Sequence, residues 1–227
     1  MTTIAIHQPE YFPWLGFLDK ARRADVLVLL DDVQFDRSSL QHRAKVAGAG
    51  GLVWITIPFV HKFPQDLRDV RVADPDFPVK HWKTLQACYG RAAGWPDAAP
   101  RLEPYFVHRP EHLLDATIPS VHLLLEAFGV RTRVVRASTL AARGEKAELV
   151  LALCRELGAE RYLSGRTGAT YLDPERFRRE GIEIEVLAYA PPSYARHRPL
   201  PEEARGLSAL DAWLCLGKKA PTIWETT

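Results

Sequence analysis

Two polar segments near the start of the chain carry the side chains best suited to chemistry. His7 and Gln8 follow a short apolar run, and Asp31 and Asp32 follow a second one. A histidine titrates near neutral pH, so His7 could act as a general base or acid or donate to a phosphate. We therefore predict His7 and Asp31 as catalytic, with Asp31 orienting the imidazole or binding a metal. The alternatives are a structural histidine and an aspartate pair that caps the next turn.

A wider set of polar and aromatic side chains is predicted to contact the substrate: Gln8, Tyr11, Trp14, Asp32, Gln34, Ser39, Arg43, Lys62 and His81. Among them, Arg43 offers a planar fork to a carboxylate or phosphate. Lys62 follows the apolar run Leu52–Pro58 and would lie on the same side as His7 if that run is a parallel strand, although an exposed loop is the alternative. His81 belongs to an aromatic helical face, where core packing is the alternative.

A glycine-bracketed segment in the second half of the chain is predicted to bind an anion. It reads Ser164-Gly165-Arg166-Thr167-Gly168 and follows a short apolar run. Backbone N–H groups and a guanidinium at a strand end can hold a phosphate or carboxylate. The predicted contacts are Ser164, Gly165, Arg166 and Gly168, and a plain turn is the alternative.

A βαβ unit must position the first of these groups. Thr3–Ile6 is a β-branched apolar run typical of a buried strand. Pro13 stands where a helix would start, and apolar residues recur at helical spacing through Ala24. Val26–Leu30 is a run of aliphatics typical of a strand buried on both faces. Strand, helix and strand predict two parallel strands, and ligands of such sheets bind at the carboxyl ends of the strands.

Apolar periodicity in the rest of the chain predicts further strands and helices. A hairpin-like excursion at Gly48–Gly51 precedes a third strand over Leu52–Pro58, and prolines between Pro96 and Pro104 predict a turn-rich connection. Helices are predicted over Phe77–Trp95, His112–Phe128 and Glu145–Leu157, and strands over Thr132–Val135, Arg161–Leu163 and Ile182–Leu187, the last at a sheet edge.

These elements predict an α/β chain with a Rossmann-like parallel sheet flanked by helices and a helical insertion. We expect a single domain over residues 1–227, with its core at 1–60 and 130–190. The mostly helical insertion would cover about 75–128, and a C-terminal helix would cover 206–217.

Composition is that of an ordinary globular protein and excludes several classes. Hydrophobic residues make up 47% and charged residues 26%, and the formal net charge of +2 is too small to indicate nucleic-acid binding by itself. Three separated cysteines favour buried thiols over a disulfide framework or a zinc site. With no leader segment and no apolar run of membrane length, we expect a cytoplasmic protein. Walker, G-x-S-x-G and H-E-x-x-H motifs are absent from the sequence.

Many of these residues also carry a resemblance to a known family. The chain resembles the opening signature of the WbqC-like proteins and later segments of the same family. The matching positions are His7-Gln8-Pro9, Tyr11, Pro13–Phe17, Lys20, Ala24-Asp25, Asp31–Phe35, Ser39 and Arg43, then Tyr162–Gly165, Gly168, Tyr171–Asp173, Phe177, Gly181-Ile182, Leu207-Ser208, Leu210-Asp211 and Gly217. The resemblance spans nearly the whole chain. It implies a role in polysaccharide or other small-molecule biosynthesis.

The layout of the first unit is similar, more loosely, to HIGH-type nucleotidylyl transferases and pantothenate synthetases. Those enzymes activate a substrate with ATP, and this likeness implies the HUP-like variant of the Rossmann architecture. The paired histidines of their motif are missing, because Trp14-Leu15-Gly16-Phe17 stands in their place. ATP-dependent adenylyl or nucleotidyl transfer, with ATP and Mg²⁺ as cofactors, is therefore an alternative reading.

The resemblance and the polar strand ends together predict a group-transfer enzyme. We expect acyl or aminoacyl transfer onto an amino sugar or small amine, with His7 accepting the amine proton. An anionic donor would be held at Ser164–Gly168, delivered as an acyl-adenylate, by a carrier or by aminoacyl-tRNA. A second alternative is a protein that binds a nucleotide sugar, or acts as a scaffold, without chemistry.

Overall fold

The computed structural model describes residues 1–60, 62, 64–199 and 206–226, and the secondary structure within them is mixed. The strands are β1 (Thr3–His7), β2 (Val26–Leu29), β3 (Arg43–Gly48), β4 (Gly51–Thr56), β5 (Arg133–Arg136), β6 (Arg161–Ser164) and β7 (Glu183–Val186). The α-helices are α1 (Leu15–Arg22), α2 (Phe77–Tyr89), α3 (Trp95–Leu102), α4 (Leu113–Ala127), α5 (Lys146–Glu156), α6 (Arg166–Ala169), α7 (Pro174–Arg179) and α8 (Ala209–Leu216). Short 3₁₀ segments cover Leu67–Asp69, Glu103–Val107, Ala137–Thr139 and Gly217–Thr226.

The chain forms two compact units. The first, named the sheet unit, comprises Met1–Gln8, Asp19–Asp32 and Arg131–Tyr189. The second, named the hairpin unit, comprises Pro9–Leu18, Val33–Val130 and Ala190–Thr227. Within the described ranges, no helix has both the length and the apolar composition needed to cross a membrane.

The sheet unit is built on a five-stranded parallel sheet in the order β5-β2-β1-β6-β7. The predicted parallel pairing of the first two strands is confirmed, with His7 opposite Leu29. Strand β7 lies at the edge of the sheet, also as predicted. A mostly parallel sheet with helices around it confirms the predicted Rossmann-like α/β class.

The core of the sheet unit lies where the sheet meets its helices. Four side chains of β1 and β2 belong to the same apolar cluster as the buried face of α5: Ile4, Ile6, Val26 and Val28. The aliphatic runs seen in the sequence are therefore buried because both strands are central in the sheet. Helix α7 joins this core through Phe177, and Asp173 caps it by accepting from the backbone N–H groups of Glu175 and Arg176.

The hairpin unit contains the run Leu52–Pro58 that was predicted as a third strand, and a strand is found there, but the condition that it be parallel to the first two is not met. Strand β4 pairs antiparallel with β3 in a separate two-stranded sheet. The chain reverses between Gly48 and Gly51, and Gly51 has a φ of +122°, which suits glycine. Lys62 consequently does not follow a strand that is parallel to β1.

The proline-rich connection is also different from its prediction. Trp95–Leu102 is helix α3, and the preceding helix α2 ends at Tyr89. Pro96 occupies the first turn of α3, where a missing N–H costs nothing. The indole of Trp95 stacks on Trp82 with ring centroids 5.3 Å apart, so aromatic packing holds this helix against α2.

The remaining helices of the hairpin unit follow the sequence closely. Helix α4 ends before Gly129, whose φ of +67° is the left-handed conformation that favours glycine after a helix. Helix α8 is capped by Ser208, whose hydroxyl accepts from the Leu210 N–H at 3.1 Å. Trp213 of α8 is 1% exposed and is among the largest buried side chains.

Candidate functional site

The strand order of the sheet unit defines a switch point. Counted along the chain within this sheet, the strands are arranged third, second, first, fourth, fifth. Strands β2 and β5 are therefore added on one side of β1, and strands β6 and β7 on the other side. The switch point lies between β1 and β6. Open parallel sheets bind ligands at the carboxyl ends of the two strands that flank such a switch point. Here those strands end in His7 and in Ser164.

His7 is partly buried at the end of β1, and its ring is neutral at physiological pH. Its Nδ1 donates to the carbonyl oxygen of Gln8 at 2.9 Å, which places the lone pair on Nε2. Burial is the main cause that lowers the pKa of His7, to about 4. The Lys20 ammonium lowers it further, whereas the hydrogen bond to Gln8 opposes the shift.

Lys20 is a neighbour of His7 that was not predicted as a site residue. Its side chain is 5% exposed, and Nζ donates to the carbonyl oxygen of Ile6 at 2.7 Å. A lysine embedded in the apolar helical pattern around Phe17 and Leu18 was the available signal, since lysines are almost never fully buried without a reason.

Asp31 is completely buried and uses its carboxylate to join the end of β2 to the end of β5. It accepts from Arg136 Nε at 2.6 Å, from the Ser138 N–H at 2.9 Å and from Ser138 Oγ at 2.7 Å. Burial opposes ionisation of Asp31, but the hydrogen bonds from Ser138 and the Arg136 guanidinium outweigh it and lower the pKa. Asp31 thus braces the loops of the switch-point edge, and the partly buried Asp32 follows it.

The predicted anion-binding segment lies beside β1. Strand β6 pairs with β1 with Leu163 opposite Ala5, so the register brings Gly165 level with His7. Ser164 is buried and donates from Oγ to the Gly165 carbonyl oxygen at 3.0 Å. The end of this segment forms the short helix α6, and Arg166 at its start is exposed.

Gly165 and Gly168 differ in the space around them. Among the described residues, no atom lies within 4 Å of the position that a Cβ on Gly165 would take. A Cβ on Gly168 would instead approach Ser164 Oγ to 2.8 Å. Gly168 is therefore required by packing within the segment, whereas Gly165 borders open space.

Two predicted substrate contacts, Tyr11 and His81, meet in the core of the hairpin unit. The His81 Nε2–H donates to the Thr56 carbonyl oxygen at 3.1 Å, and Nδ1 accepts from the Tyr11 hydroxyl at 2.9 Å. Burial lowers the pKa of His81 to about 4, against the opposing hydrogen bond to Thr56. Burial also raises the pKa of Tyr11. Both side chains are satisfied by one another, which favours the packing alternative for His81.

Trp14 is partly buried, and it directly precedes helix α1. A Cβ on Gly16 would fall 2.2 Å from the Trp14 indole. The tryptophan and glycine of the segment Trp14–Phe17 are therefore explained by mutual packing. This contact occupies the position where the HIGH-type motif would carry histidines.

Gln34 and Lys62 line one shallow polar depression of about 540 Å³ in the hairpin unit. Asp66 and Asp69 line it as well, and Gln34 forms an isolated bridge with Asp66. The two predicted contacts are thus brought together, although not at the end of a parallel strand.

Ser39 and Arg43 are linked through the loop that precedes β3. Ser39 Oγ donates to the Asp36 carbonyl oxygen at 2.6 Å. The Arg43 guanidinium donates from Nε to the Ser39 carbonyl oxygen at 3.2 Å and from Nη2 to that of Ser38. Arg43 therefore orders its own loop as well as facing outward.

Comparison with known proteins identifies the family. The chain is 27% identical, over 227 residues, to a Mycobacterium tuberculosis (strain ATCC 25618 / H37Rv) protein named uncharacterized protein Rv1507c; the match covers 97% of this chain and 96% of that protein. No solved structure matches the chain. The model of the WbqC-like protein family matches residues 8–223. The chain therefore belongs to the WbqC-like protein family.

Proposed function

We propose that this protein is a biosynthetic group-transfer enzyme that forms an amide by acyl or aminoacyl transfer onto an amino sugar or a small amine. Membership of the WbqC-like family supports the biosynthetic role. The observation that carries the proposal is the switch point of the sheet, where neutral His7 ends β1 and Ser164 ends the neighbouring β6, with Gly165 next in the chain. A base beside a candidate anion-binding segment suits transfer from an anionic donor.

His7 is suited to the proton transfer that amide formation requires. The amine nitrogen attacks the acyl carbon of the donor, so a C–N bond forms and the C–O bond to the leaving group breaks. The surplus amine proton passes to His7 Nε2, because Nδ1–H is held by the Gln8 carbonyl oxygen. The imidazolium then returns this proton to the leaving oxygen, and no oxidant or reductant is needed.

The low pKa of His7 makes its base strength depend on the donor. With a pKa of about 4, the imidazole is neutral but only weakly basic. A negatively charged donor at the same sheet edge would offset the effect of the Lys20 ammonium and raise the pKa of His7. The base would then be strongest when the donor is bound.

Adenylyl transfer is the second candidate, because the strand order is that of nucleotide-binding doubly wound sheets. It requires ATP and Mg²⁺ and would be revealed by ATP-dependent exchange of pyrophosphate. A nucleotide-sugar-binding or scaffold role without chemistry uses the same crevice. Such a binder should tolerate His7→Gln with a modest loss of affinity.

The test combines ligand binding with turnover. Thermal shift and calorimetry against ATP, nucleotide sugars, amino acids and charged or uncharged tRNA identify the donor class, since a ligand of the folded state raises its stability. Mixtures of that donor with amino sugars and small amines are then analysed by mass spectrometry for the amide. We expect His7→Gln to bind the donor but to lose about 10² to 10⁴ of the turnover.

The matched control is His122→Gln, because His122 is an exposed histidine on α4. It should react as the wild type does. Equal turnover in His7→Gln and His122→Gln would contradict a general-base role. Donor binding without any amide product across the acceptor panel would favour the binder.

A further inference from the structure

The first turns of helix α4 border a cavity of about 470 Å³ in the hairpin unit, named the Pro119 cavity. Its volume suits a small organic ligand. The start of α2 and the segment after α3 form the rest of its wall. Two aromatic rings, three prolines and one alanine give the wall an apolar surface: Phe77, Tyr105, Pro78, Pro110, Pro119 and Ala116. Such a surface favours a ligand with an apolar body.

Pro119 gives the cavity wall a backbone acceptor. It lies inside α4, and proline has no N–H, so the Asp115 carbonyl oxygen receives no helical bond from position 119. Residues 115 and 119 lie on the same side of the helix, and both line the cavity. The Asp115 carbonyl oxygen is therefore placed at the cavity wall as a hydrogen-bond acceptor.

Tyr105 shows that a donor can reach this turn of α4 from the cavity wall. Its hydroxyl donates to the carbonyl oxygen of Ala116, the residue after Asp115, at 2.8 Å. The hydroxyl hydrogen of Tyr105 is thereby used within the protein. Pro78, Pro110 and Pro119 have no N–H to donate. This part of the wall consequently offers acceptors rather than donors to a ligand.

Two carboxylates, of Glu111 and Asp115, add negative charge to the lining. The Asp115 carboxylate accepts from the His112 N–H at 3.0 Å, which uses one of its several lone pairs. The Glu111 carboxylate lies 3.7 Å from the Arg71 guanidinium, and both of these side chains are exposed. Each carboxylate can therefore accept a further donor.

The arginine of the lining is committed to another partner. Arg109 forms an ion pair with Asp76 and donates to the Pro75 carbonyl oxygen at 3.1 Å. Its charge is therefore compensated by a carboxylate that does not line the cavity. His108, the other basic residue of the lining, is exposed, so water screens its interactions.

We propose that the Pro119 cavity binds a small organic amine with an aromatic or branched aliphatic body. The body packs against the rings of Phe77 and Tyr105, and the ammonium donates to the Asp115 carbonyl oxygen near the carboxylates. An ammonium has three donors and no acceptor, which matches a wall that is rich in acceptors. A carboxylate ligand would find no donor on the prolines. The proposal does not rest on the reaction assigned to His7.

Calorimetric titration of the full chain with phenethylamine tests the proposal. We expect binding that is at least tenfold tighter than that of 2-phenylethanol or 3-phenylpropionate, because hydrogen bonds from charged donors are the stronger ones. Asp115→Asn keeps a side-chain oxygen for the His112 N–H and should weaken amine binding by about threefold.

Pro119→Ala is the decisive variant. Its new N–H can bond to the Asp115 carbonyl oxygen, so amine binding should weaken by about tenfold. The melting temperature should not fall, because alanine suits a helix interior better than proline. The matched control is Pro100→Ala: Pro100 is an exposed proline inside α3 that does not line the cavity, and this variant should bind the amine as the wild type does.

Several results would overturn the proposal. They are absence of phenethylamine binding by the wild type, equal affinity for the alcohol or the carboxylate, unchanged affinity in Pro119→Ala, and an equal loss in Pro100→Ala. Loss of phenethylamine binding in His7→Gln would place the amine at the switch point instead. Wild-type amine affinity in His7→Gln would support the Pro119 cavity even if amide formation fails.

Discussion

His7 and His81 share a pKa of about 4 but sit in different kinds of structure. His81, 6% exposed in the hairpin unit, uses both ring nitrogens within the core, one for the Tyr11 hydroxyl and one for the Thr56 carbonyl oxygen. His7 lies at the end of a central strand, beside the switch point, with Nδ1 held by the adjacent Gln8 carbonyl oxygen. A lowered pKa therefore reports burial in both cases, and position in the fold is what distinguishes a candidate base from a core histidine.

The largest expected difference between the two histidines is the effect of removing each imidazole on the stability of the fold. His81→Leu leaves the Tyr11 hydroxyl and the Thr56 carbonyl oxygen buried without a partner, so we expect the free energy of unfolding to fall by about 2 to 4 kcal/mol. His7→Leu should cost less than His81→Leu, because His7 is partly buried and its Nδ1–H bonds to the carbonyl oxygen of the adjacent Gln8. Urea unfolding of the two variants measures the difference, and equal losses would remove the distinction.

Acid stability separates the core histidine in a second way. The folded pKa of His81 is about 4 and the unfolded value about 6.5, so the unfolded chain binds more protons between these values. Stability due to a neutral His81 is therefore complete above pH 6.5 and is lost as the pH falls towards 4. We expect a decrease of roughly 1 to 3 kcal/mol over this window.

Urea unfolding at several pH values provides the measurement. His7 and His42, whose pKa values are also lowered to about 4, add to the same slope. His81→Leu should therefore lose one histidine's share of the pH dependence and keep the rest. An unchanged slope in that variant would mean that His81 has the same pKa in the folded and the unfolded chain.

Gly165 and Gly168, which follow β6, provide a second comparison, because a Cβ has room at one of them and not at the other. Gly165 has a φ of −75°, which alanine accepts, and a Cβ there meets no described atom within 4 Å. We expect Gly165→Ala to change stability by less than about 1 kcal/mol while it lowers donor affinity. Gly168→Ala should destabilise instead, because its Cβ would lie 2.8 Å from Ser164 Oγ. Calorimetric titration after a thermal melt tests both, and normal donor affinity in Gly165→Ala would place the donor elsewhere.

The sequence was sufficient to predict the strands of the sheet unit, because their signals are local. Aliphatic runs such as Val26–Leu29 can be buried on both faces only in a central strand. Parallel pairing then brings His7 and Gly165 to one edge, which the topology alone implies. The meeting of these two segments was thus predictable without knowledge of any side-chain contact.

What the sequence could not supply is the choice among distant partners. The run around Trp54 reads as a strand, but its pattern does not say that it pairs with β3 in a separate sheet. Asp31 meets Arg136 and Ser138, which follow it by more than a hundred residues. Pro96 looks like a helix breaker until its place in a first turn is known. Each of these depends on long-range packing, which periodicity does not contain.

The smallest expected effect concerns Lys20, and it tests the electrostatic coupling directly. The ammonium of Lys20 lowers the pKa of His7, so Lys20→Met should raise that pKa toward its usual value, while burial keeps it below 6.5. The pKa of His81 has no contribution from Lys20 among its causes and should stay at about 4. Titration of both imidazoles by NMR reads the two shifts in one sample. A rise at His7 alone would support control of the base by charge at the switch-point edge, whereas equal shifts at both would indicate a general loosening of the fold.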